Sequence, residues 1–170
     1  SVGRDPRSIG LGVVGMGRHG SRYVKHLLEG VPGCHLAAAS RKDAVAGRAF
    51  AGQHGVLFFA DWRELVARPE VEAVVVVTPP GLNRDICLAA ARAGKPMLIE
   101  KPLALTVAEG REMVGAARTA GVALMTAQTL RFTPVLERLR ASLPLIGPLE
   151  YLCLTMRAER SPHHWLDDPT

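Results

Sequence analysis

The sequence predicts an α/β protein built on a doubly wound parallel sheet, and three observations support this fold class. Strand-like segments alternate with helix-like segments throughout the first 127 residues. Residues 74–77 are four consecutive valines without polar alternation, as expected for a central parallel strand covered on both faces. A glycine-rich turn joins the first strand to the first helix. Such repeated β-α-β units place ligands at the carboxyl ends of the strands.

The first half of the chain is predicted to form three strands and three helices. An apolar strand over 9–14 enters the glycine turn, and a helix over 18–29 is closed by Gly30 and Pro32. Short apolar runs and helix-compatible stretches then predict strands at 35–39 and 56–59 and helices at 43–52 and 62–67.

The second half continues the alternation. The valine strand stops at Thr78-Pro79-Pro80, because proline cannot donate to a strand ladder. Thr106 and Glu109 form a capping-box pattern that opens a helix running to Ala120. The other predicted elements are a helix at 83–93 that ends before Gly94 and strands at 97–99 and 122–126.

After Thr126 the pattern changes, and we expect a second domain to begin. A short helix is predicted over 134–142, then a Pro/Gly turn over 144–148 and a strand over 149–156. We therefore divide the chain into a first domain, 1–127, and the start of a second domain, 128–170. Since the remaining residues are too few to complete a domain, we expect the chain to continue for roughly 150 to 200 residues.

Composition excludes several other classes of protein. The chain has 170 residues, 48% of them hydrophobic, and its longest apolar run, 71–80, is far shorter than the roughly 20 residues of a membrane helix. Three scattered cysteines without C-x-x-C or histidine pairing predict no metal site and a reducing, cytoplasmic setting. The net charge is +5, but the arginines are scattered among acidic residues and form no basic stripe with interleaved aromatic residues. We therefore expect no nucleic-acid partner.

The glycine turn has the spacing of a dinucleotide site. Residues 15–20 read G-M-G-R-H-G between a strand and a helix. Glycines there allow a tight turn and let a pyrophosphate approach the first amides of the helix. We predict that cofactor contacts come from Gly15, Met16, Gly17, Arg18, His19 and Gly20.

The end of the second strand indicates which dinucleotide is bound. Ser40-Arg41-Lys42 lies where a Rossmann domain places an acid for the ribose 2′-hydroxyl, and no acid occurs before Asp43. Basic side chains suit a 2′-phosphate, because Arg41 offers a planar fork of donors and Lys42 a point charge. We predict NADP as the cofactor, with NAD possible, and an exposed basic turn is the alternative.

Glu100-Lys101-Pro102 is the candidate catalytic segment. It lies at the carboxyl end of another strand, where Lys101 could stabilise charge that develops during hydride transfer or donate a proton. We expect Glu100 to hold the Lys101 ammonium in place. An ordinary exposed Lys-Pro turn is the alternative.

Taken together these motifs resemble the glucose-fructose oxidoreductase/inositol dehydrogenase/rhizopine catabolism family, Gfo/Idh/MocA. That family's order is a glycine loop, T-P-P-x-x-H, A-G-K-h-v-l-x-E-K-P and R-F-x-P. This chain has T-P-P-G-L-N at 78–83, A-G-K-P-M-L-I-E-K-P at 93–102 and R-F-T-P at 131–134. The resemblance implies that Lys101 is the catalytic lysine and that the cofactor crevice is lined by Thr78, Pro79, Pro80, Asn83 and Glu100. Asn83 replaces the usual histidine, and Gln128 could touch the nicotinamide amide.

The resemblance implies an NADP-dependent oxidoreductase that transfers a hydride to or from a carbinol or carbonyl carbon of a sugar-like or cyclic polyol. It also implies that residues 1–127 form the NAD(P)-binding Rossmann domain and that 128–170 begin an α+β substrate and oligomerisation domain. We expect a small-molecule substrate, no membrane partner and a homo-oligomer at full length. The family's second-domain histidine motif is absent, and His163 and His164 are interpreted as surface or loop residues. A non-catalytic NADP(H)-binding sensor is therefore the alternative. A methyltransferase is a third alternative, but such an enzyme needs an acidic residue at the end of the second strand, where this chain has Ser40-Arg41-Lys42.

Overall fold

The computed structural model describes residues 8–153 and 155, and these fall in two compact units. Of these described residues, 8–128 belong to the first unit and 129–153 and 155 to the second. The boundary drawn from the sequence, between 127 and 128, lies one residue earlier. The C-terminal histidines, His163 and His164, are outside the described residues.

The first unit is built on a six-stranded sheet with the order β3-β2-β1-β4-β5-β6. Every pair of neighbouring strands is parallel. The strands are β1 (Ile9–Val14), β2 (Cys34–Ser40), β3 (Leu57–Phe59), β4 (Ala73–Val76), β5 (Met97–Ile99) and β6 (Leu124–Thr126). This order reverses direction between β1 and β4, which is the topological switch point where doubly wound sheets bind ligands. The predicted fold class is confirmed.

Five helices connect the strands of this sheet. They are α1 (Gly20–Glu29), α2 (Ala44–His54), α3 (Trp62–Ala67), α4 (Asn83–Arg92) and α5 (Val107–Thr119). Asp43, Asp61 and Thr106 cap three of them by accepting a hydrogen bond from a first-turn amide. Of the capping box predicted at Thr106 and Glu109, one bond is observed, from Glu109 N–H to Thr106 Oγ1, whereas the Glu109 carboxylate accepts from Leu105 N–H and not from Thr106 N–H.

The core lies on both faces of the sheet, as alternate residues of a central strand require. Val13 and Val75 face a cluster that includes Val24 of α1. Val14 and Val74 face the opposite cluster, which contains the buried side chains Leu65, Ile86 and Met113 of α3, α4 and α5. Each fully buried side chain of this size contributes about 1.5 to 3 kcal/mol to folding. This two-sided burial explains why the valine run shows no polar alternation.

Some element ends differ from the sequence prediction by one or two residues. Helix α1 begins at Gly20 and not at residue 18, because residues 15–19 form the turn that leaves β1. Strand β6 begins at Leu124 and not at Val122. Val122 N–H instead donates to Ala117 O and closes the end of α5, so it is not available to the sheet.

Among its described residues, the second unit contains one α-helix, α6 (Pro134–Ser142), at the predicted position. The turn predicted over 144–148 is partly helical, with a 3₁₀ segment over Leu143–Ile146 that ends at Gly147 with φ 76°. The strand predicted over 149–156 is not observed, because 149–153 and 155 pair with no other strand, and 154 and 156 lie outside the described residues. No helix among the described residues has the length and apolarity to cross a membrane.

Candidate dinucleotide cleft and active-site edge

A cleft of about 950 Å³ opens at the carboxyl edge of the sheet. It spans the ends of β1, β2 and β4 and the segment that follows β3. Its walls are formed by Val14, Gly15, Met16, Gly17, Ser40, Arg41, Lys42, Asp43, Ala60, Asp61, Trp62, Arg63, Val77, Thr78, Pro79 and Leu82. The sequence motifs at 15–17, 40–42 and 78–79 are therefore brought together in one cavity.

The glycine loop is shaped by close contacts between backbone atoms. Gly15 has φ 97°, and the amides of Gly15 and Met16 donate to Ser40 O at 3.0 and 3.1 Å. A Cβ on Gly20 would lie 1.8 Å from Gly15 O, so only glycine fits where α1 meets the turn. A Cβ on Gly17 would meet no atom within 4 Å, so that side of the loop is open.

At the start of α1, Ser21 N–H and Arg22 N–H donate to Gly17 O and His19 O, whereas the amides of residues 17–20 make no hydrogen bond within the part of the chain that the structure describes. The N-cap residue of α1, His19, makes no side-chain capping bond, and the first turn contains no acidic residue. The amides of residues 17–20 can therefore receive an anionic group, and the partial positive charge of the helix terminus favours one. Gly17 and the exposed residues Arg18 and His19 form the outer part of this turn. This cradle fits a pyrophosphate.

The residues after β2 place positive charge in the cleft. Ser40 is 3% exposed, Arg41 is partly buried and Lys42 is exposed. Asp43 also lines the cleft, but its Oδ1 accepts from Ala46 N–H at 3.1 Å and caps α2. Its Oδ2 lies 4.0 Å from Arg41 Nη2. Asp43 therefore stabilises a helix terminus beside two cations.

Sequence reasoning missed the wall that follows β3. Asp61, Trp62 and Arg63 line the cleft, with the Arg63 guanidinium 4.4 Å from the centre of the Trp62 ring. Strand β3 pairs with β2 through Ser40 and Phe59. The signal that could have found this wall is the strand order, because it puts the segment after β3 beside Arg41.

The end of β4 contributes Thr78 and Pro79 to the cleft, and Pro80 begins a 3₁₀ turn. Asn83 differs from the sequence expectation, since it is 1% exposed and points into the protein. Its Nδ2 donates to Pro102 O and Leu103 O, both at 3.1 Å, and its Oδ1 accepts from Thr78 Oγ1 at 3.0 Å. Asn83 thus braces the segment after Lys101 instead of lining the crevice.

Glu100 is also placed differently from the expectation that it holds the Lys101 ammonium. Its Oε1 lies 2.7 Å from both Tyr23 Oη and His19 Nε2, and its Oε2 accepts from Lys101 N–H at 3.0 Å. Burial pushes the Glu100 pKa up, but these hydrogen bonds outweigh burial and hold the pKa below its usual range. Burial and the bond to Glu100 raise the pKa of Tyr23. No local sequence pattern indicates a role for Tyr23, because its bond to Glu100 joins residues that are 77 positions apart.

Lys101 and Gln128 lie beyond the 950 Å³ cleft, at the ends of β5 and β6. Both residues are exposed. The Lys101–Pro102 peptide bond is cis. Within residues 8–153 and 155, no group of three or more His, Cys, Asp or Glu side chains could hold a metal ion.

The sheet order, the glycine cradle and the adjoining cleft define the first unit as a dinucleotide-binding Rossmann domain. Residues 9–128 match the model of the Gfo/Idh/MocA oxidoreductase family, NAD-binding Rossmann fold. The chain belongs to this family, as its motifs indicated.

Individual relatives include sugar and polyol enzymes. The chain is 38% identical over 126 residues to inositol 2-dehydrogenase 1 of Saccharopolyspora erythraea, covering 73% of this chain and 37% of the relative. It is 45% identical over 100 residues to 1,5-anhydro-D-fructose reductase of Ensifer adhaerens, covering 58% and 30%. A probable dehydrogenase from Thermotoga maritima superposes with TM-score 0.76 at 28% identity, covering 81% and 41%. The chain thus spans about a third of the length of these curated relatives.

Proposed function

We propose that this chain is the cofactor-binding part of an NADP-dependent oxidoreductase. The reaction is hydride transfer between the nicotinamide and a carbinol or carbonyl carbon of a sugar-like or cyclic polyol. The observation that carries the proposal is the cleft, which joins an open glycine turn to a basic wall after β2. The names of the two curated relatives, an inositol dehydrogenase and an anhydrofructose reductase, support the substrate class.

The charges at the end of β2 support NADP over NAD. A 2′-hydroxyl is usually bound by a carboxylate that follows this strand, whereas a 2′-phosphate needs cations. The first carboxylate after β2 belongs to Asp43, which is engaged with the amide of Ala46. Arg41 and Lys42 precede it and line the cleft. A guanidinium and an ammonium provide the charge and the donors that a phosphate requires.

Lys101 is proposed as the catalytic residue. The nicotinamide, when bound, gives or takes the hydride. Lys101 follows β5, next to β4 at the switch point of the sheet, and its ammonium can hydrogen-bond a substrate oxygen and stabilise the charge that develops there. Thr78, Pro79 and Gln128 are proposed to flank the nicotinamide side. Glu100 and Asn83 hold the turn that carries Lys101.

The cofactor proposal is tested by titrating the chain with NADPH and NADH. We expect NADPH to bind more tightly than NADH. Arg41→Ala and Lys42→Ala should each reduce the difference in binding free energy between the two cofactors by about 1 to 3 kcal/mol, the range of charge-assisted hydrogen bonds. Fluorescence or calorimetry gives both affinities.

The control for this titration is Arg111→Ala. Arg111 is an exposed residue of α5 and does not line the cleft, so its replacement removes the same charge without touching the site. The difference in binding free energy between NADPH and NADH should then be the same as in the unmodified chain. Equal affinities for NADPH and NADH, or tighter binding of NADH, would contradict the proposal.

A further inference from the structure

We infer that Arg63 is a third specificity-determining cation, which binds the 2′-phosphate from the segment that lies beside Arg41 and Lys42. The inference rests on the proposed NADP function and extends it to a residue outside the glycine loop and the β2 turn. It is carried by the register of β2 and β3, by the charges on the cleft wall and by the contacts that hold the Arg63 guanidinium.

The strand register places the two basic segments side by side. Ser40, the last residue of β2, pairs with Phe59, the last residue of β3. Neighbouring strands lie about 4.8 Å apart, so the segments 41–43 and 60–63 leave the sheet at the same edge and next to each other. Both segments line the same cleft. An adenosine ribose that reaches Arg41 therefore lies between these two segments.

The carboxylates on these segments are engaged by helix termini. Asp43 accepts from Ala46 N–H at 3.1 Å, and Asp61 accepts from Arg63 N–H at 2.9 Å. Asp43 and Asp61 are therefore the N-cap residues of α2 and α3. The cations of the wall are Arg41, Lys42 and Arg63. A phosphomonoester has about −1.5 to −2 charges and three acceptor oxygens at neutral pH, so it can use cations from both segments.

The Arg63 side chain is held at the cleft by two contacts. Its guanidinium lies 4.4 Å from the centre of the Trp62 ring, and its Nη1 lies 3.3 Å from Asp61 Oδ1. The stacked ring and the carboxylate restrict the side chain, while a guanidinium has five N–H donors. Donors therefore remain for a phosphate, and the ordering cost of binding one is reduced.

The experiment compares Arg63→Gln with Arg111→Gln, using NADPH and NADH as probes in calorimetric titrations of the 170-residue chain. We expect Arg63→Gln to weaken NADPH binding by about 3- to 10-fold, because the guanidinium is largely exposed and its bonds are moderated by water. NADH binding should change less than about 2-fold, since NADH lacks the 2′-phosphate. Arg63→Lys keeps the charge and should therefore lose less NADPH affinity than Arg63→Gln. Arg111→Gln should bind both cofactors as tightly as the unmodified chain does.

The outcomes separate this inference from the proposed function. If the unmodified chain prefers NADPH and Arg41→Ala narrows that preference, but Arg63→Gln leaves it unchanged, only the role of Arg63 is overturned. If Arg63→Gln loses equal affinity for NADPH and NADH, the role of Arg63 is also overturned, because the residue would then act on the part that both cofactors share. A chain without any preference for NADPH overturns the proposed cofactor choice, and the inference with it.

Discussion

At the scale of single residues, the Glu100 carboxylate connects the glycine turn with the segment of Lys101. Two of its partners, His19 and Tyr23, belong to the start of α1, and the third is the backbone N–H of Lys101. The side chain is 10% exposed, so these bonds replace most of its hydration. An ionised Glu100 therefore fixes the start of the Lys101 turn against α1.

The Glu100 bonds predict a pH-dependent effect of Tyr23→Phe. The native pKa of Glu100 lies below its ordinary value of 4.5, so its stabilising contribution is present above about pH 4.5 and is lost as the pH falls through the native pKa. At neutral pH, Tyr23→Phe should lower the free energy of unfolding by about 1 to 3 kcal/mol, because it removes a hydrogen bond to a charged group. This decrease in the free energy of unfolding should become smaller as the pH falls through the native pKa of Glu100.

Urea unfolding of Tyr23→Phe from about pH 7 to about pH 3 measures this dependence. The control is Tyr151→Phe, since Tyr151 is 82% exposed and is the other tyrosine of the chain. A loss in Tyr23→Phe that stays constant across the pH range, or one equal to that of the control, would contradict the account of Glu100.

At the scale of elements, the turn between β1 and α1 uses its glycines for different purposes. Gly20 is required by the fold, because a Cβ there would meet Gly15 O, whereas the Gly17 position is open. Gly17 also has no positive φ, so an alanine fits its backbone. The fold requirement and the binding requirement can therefore be separated by substitution.

We expect Gly17→Ala to fold normally and to bind cofactor weakly, because its Cβ occupies the side from which a pyrophosphate approaches. Gly20→Ala should lower the free energy of unfolding by more than about 2 kcal/mol, since the clash is with backbone. Thermal unfolding and NADPH titration of both variants test this. Gly52→Ala is the control in α2, where a Cβ is also free of contacts. Normal NADPH affinity in Gly17→Ala would refute the binding role.

The sequence predicted most elements and only part of the site. Strands and helices follow local patterns, such as the valine run of β4 and the cap at Thr106, and these were confirmed. Arg63 and Tyr23 were missed because their positions depend on strand order and on a bond between distant residues. The family motif gave the position of Asn83 but not the direction of its side chain, which the Pro102 and Leu103 carbonyls determine.

At the scale of the whole molecule, the first unit brings the functional motifs to one edge of a six-stranded sheet. In the proposed cofactor complex, the adenosine lies against the segments after β2 and β3 and the pyrophosphate against the turn after β1, while Lys101 follows β5. The roles proposed above thus put cofactor binding and chemistry at different strand ends. Replacing Lys101 should therefore affect turnover and leave cofactor affinity unchanged.

The most direct test of this account is the turnover rate of Lys101→Ala, measured in the full-length protein. Inositols and anhydro sugars serve as the substrate panel, and NADPH titration of each variant gives the affinity. We expect kcat to fall by about 10²- to 10⁴-fold with little change in cofactor affinity, because the ammonium acts on the charge that develops during transfer. Lys25→Ala on the exposed face of α1 is the control and should keep normal turnover. Near-normal kcat in Lys101→Ala would contradict the catalytic assignment.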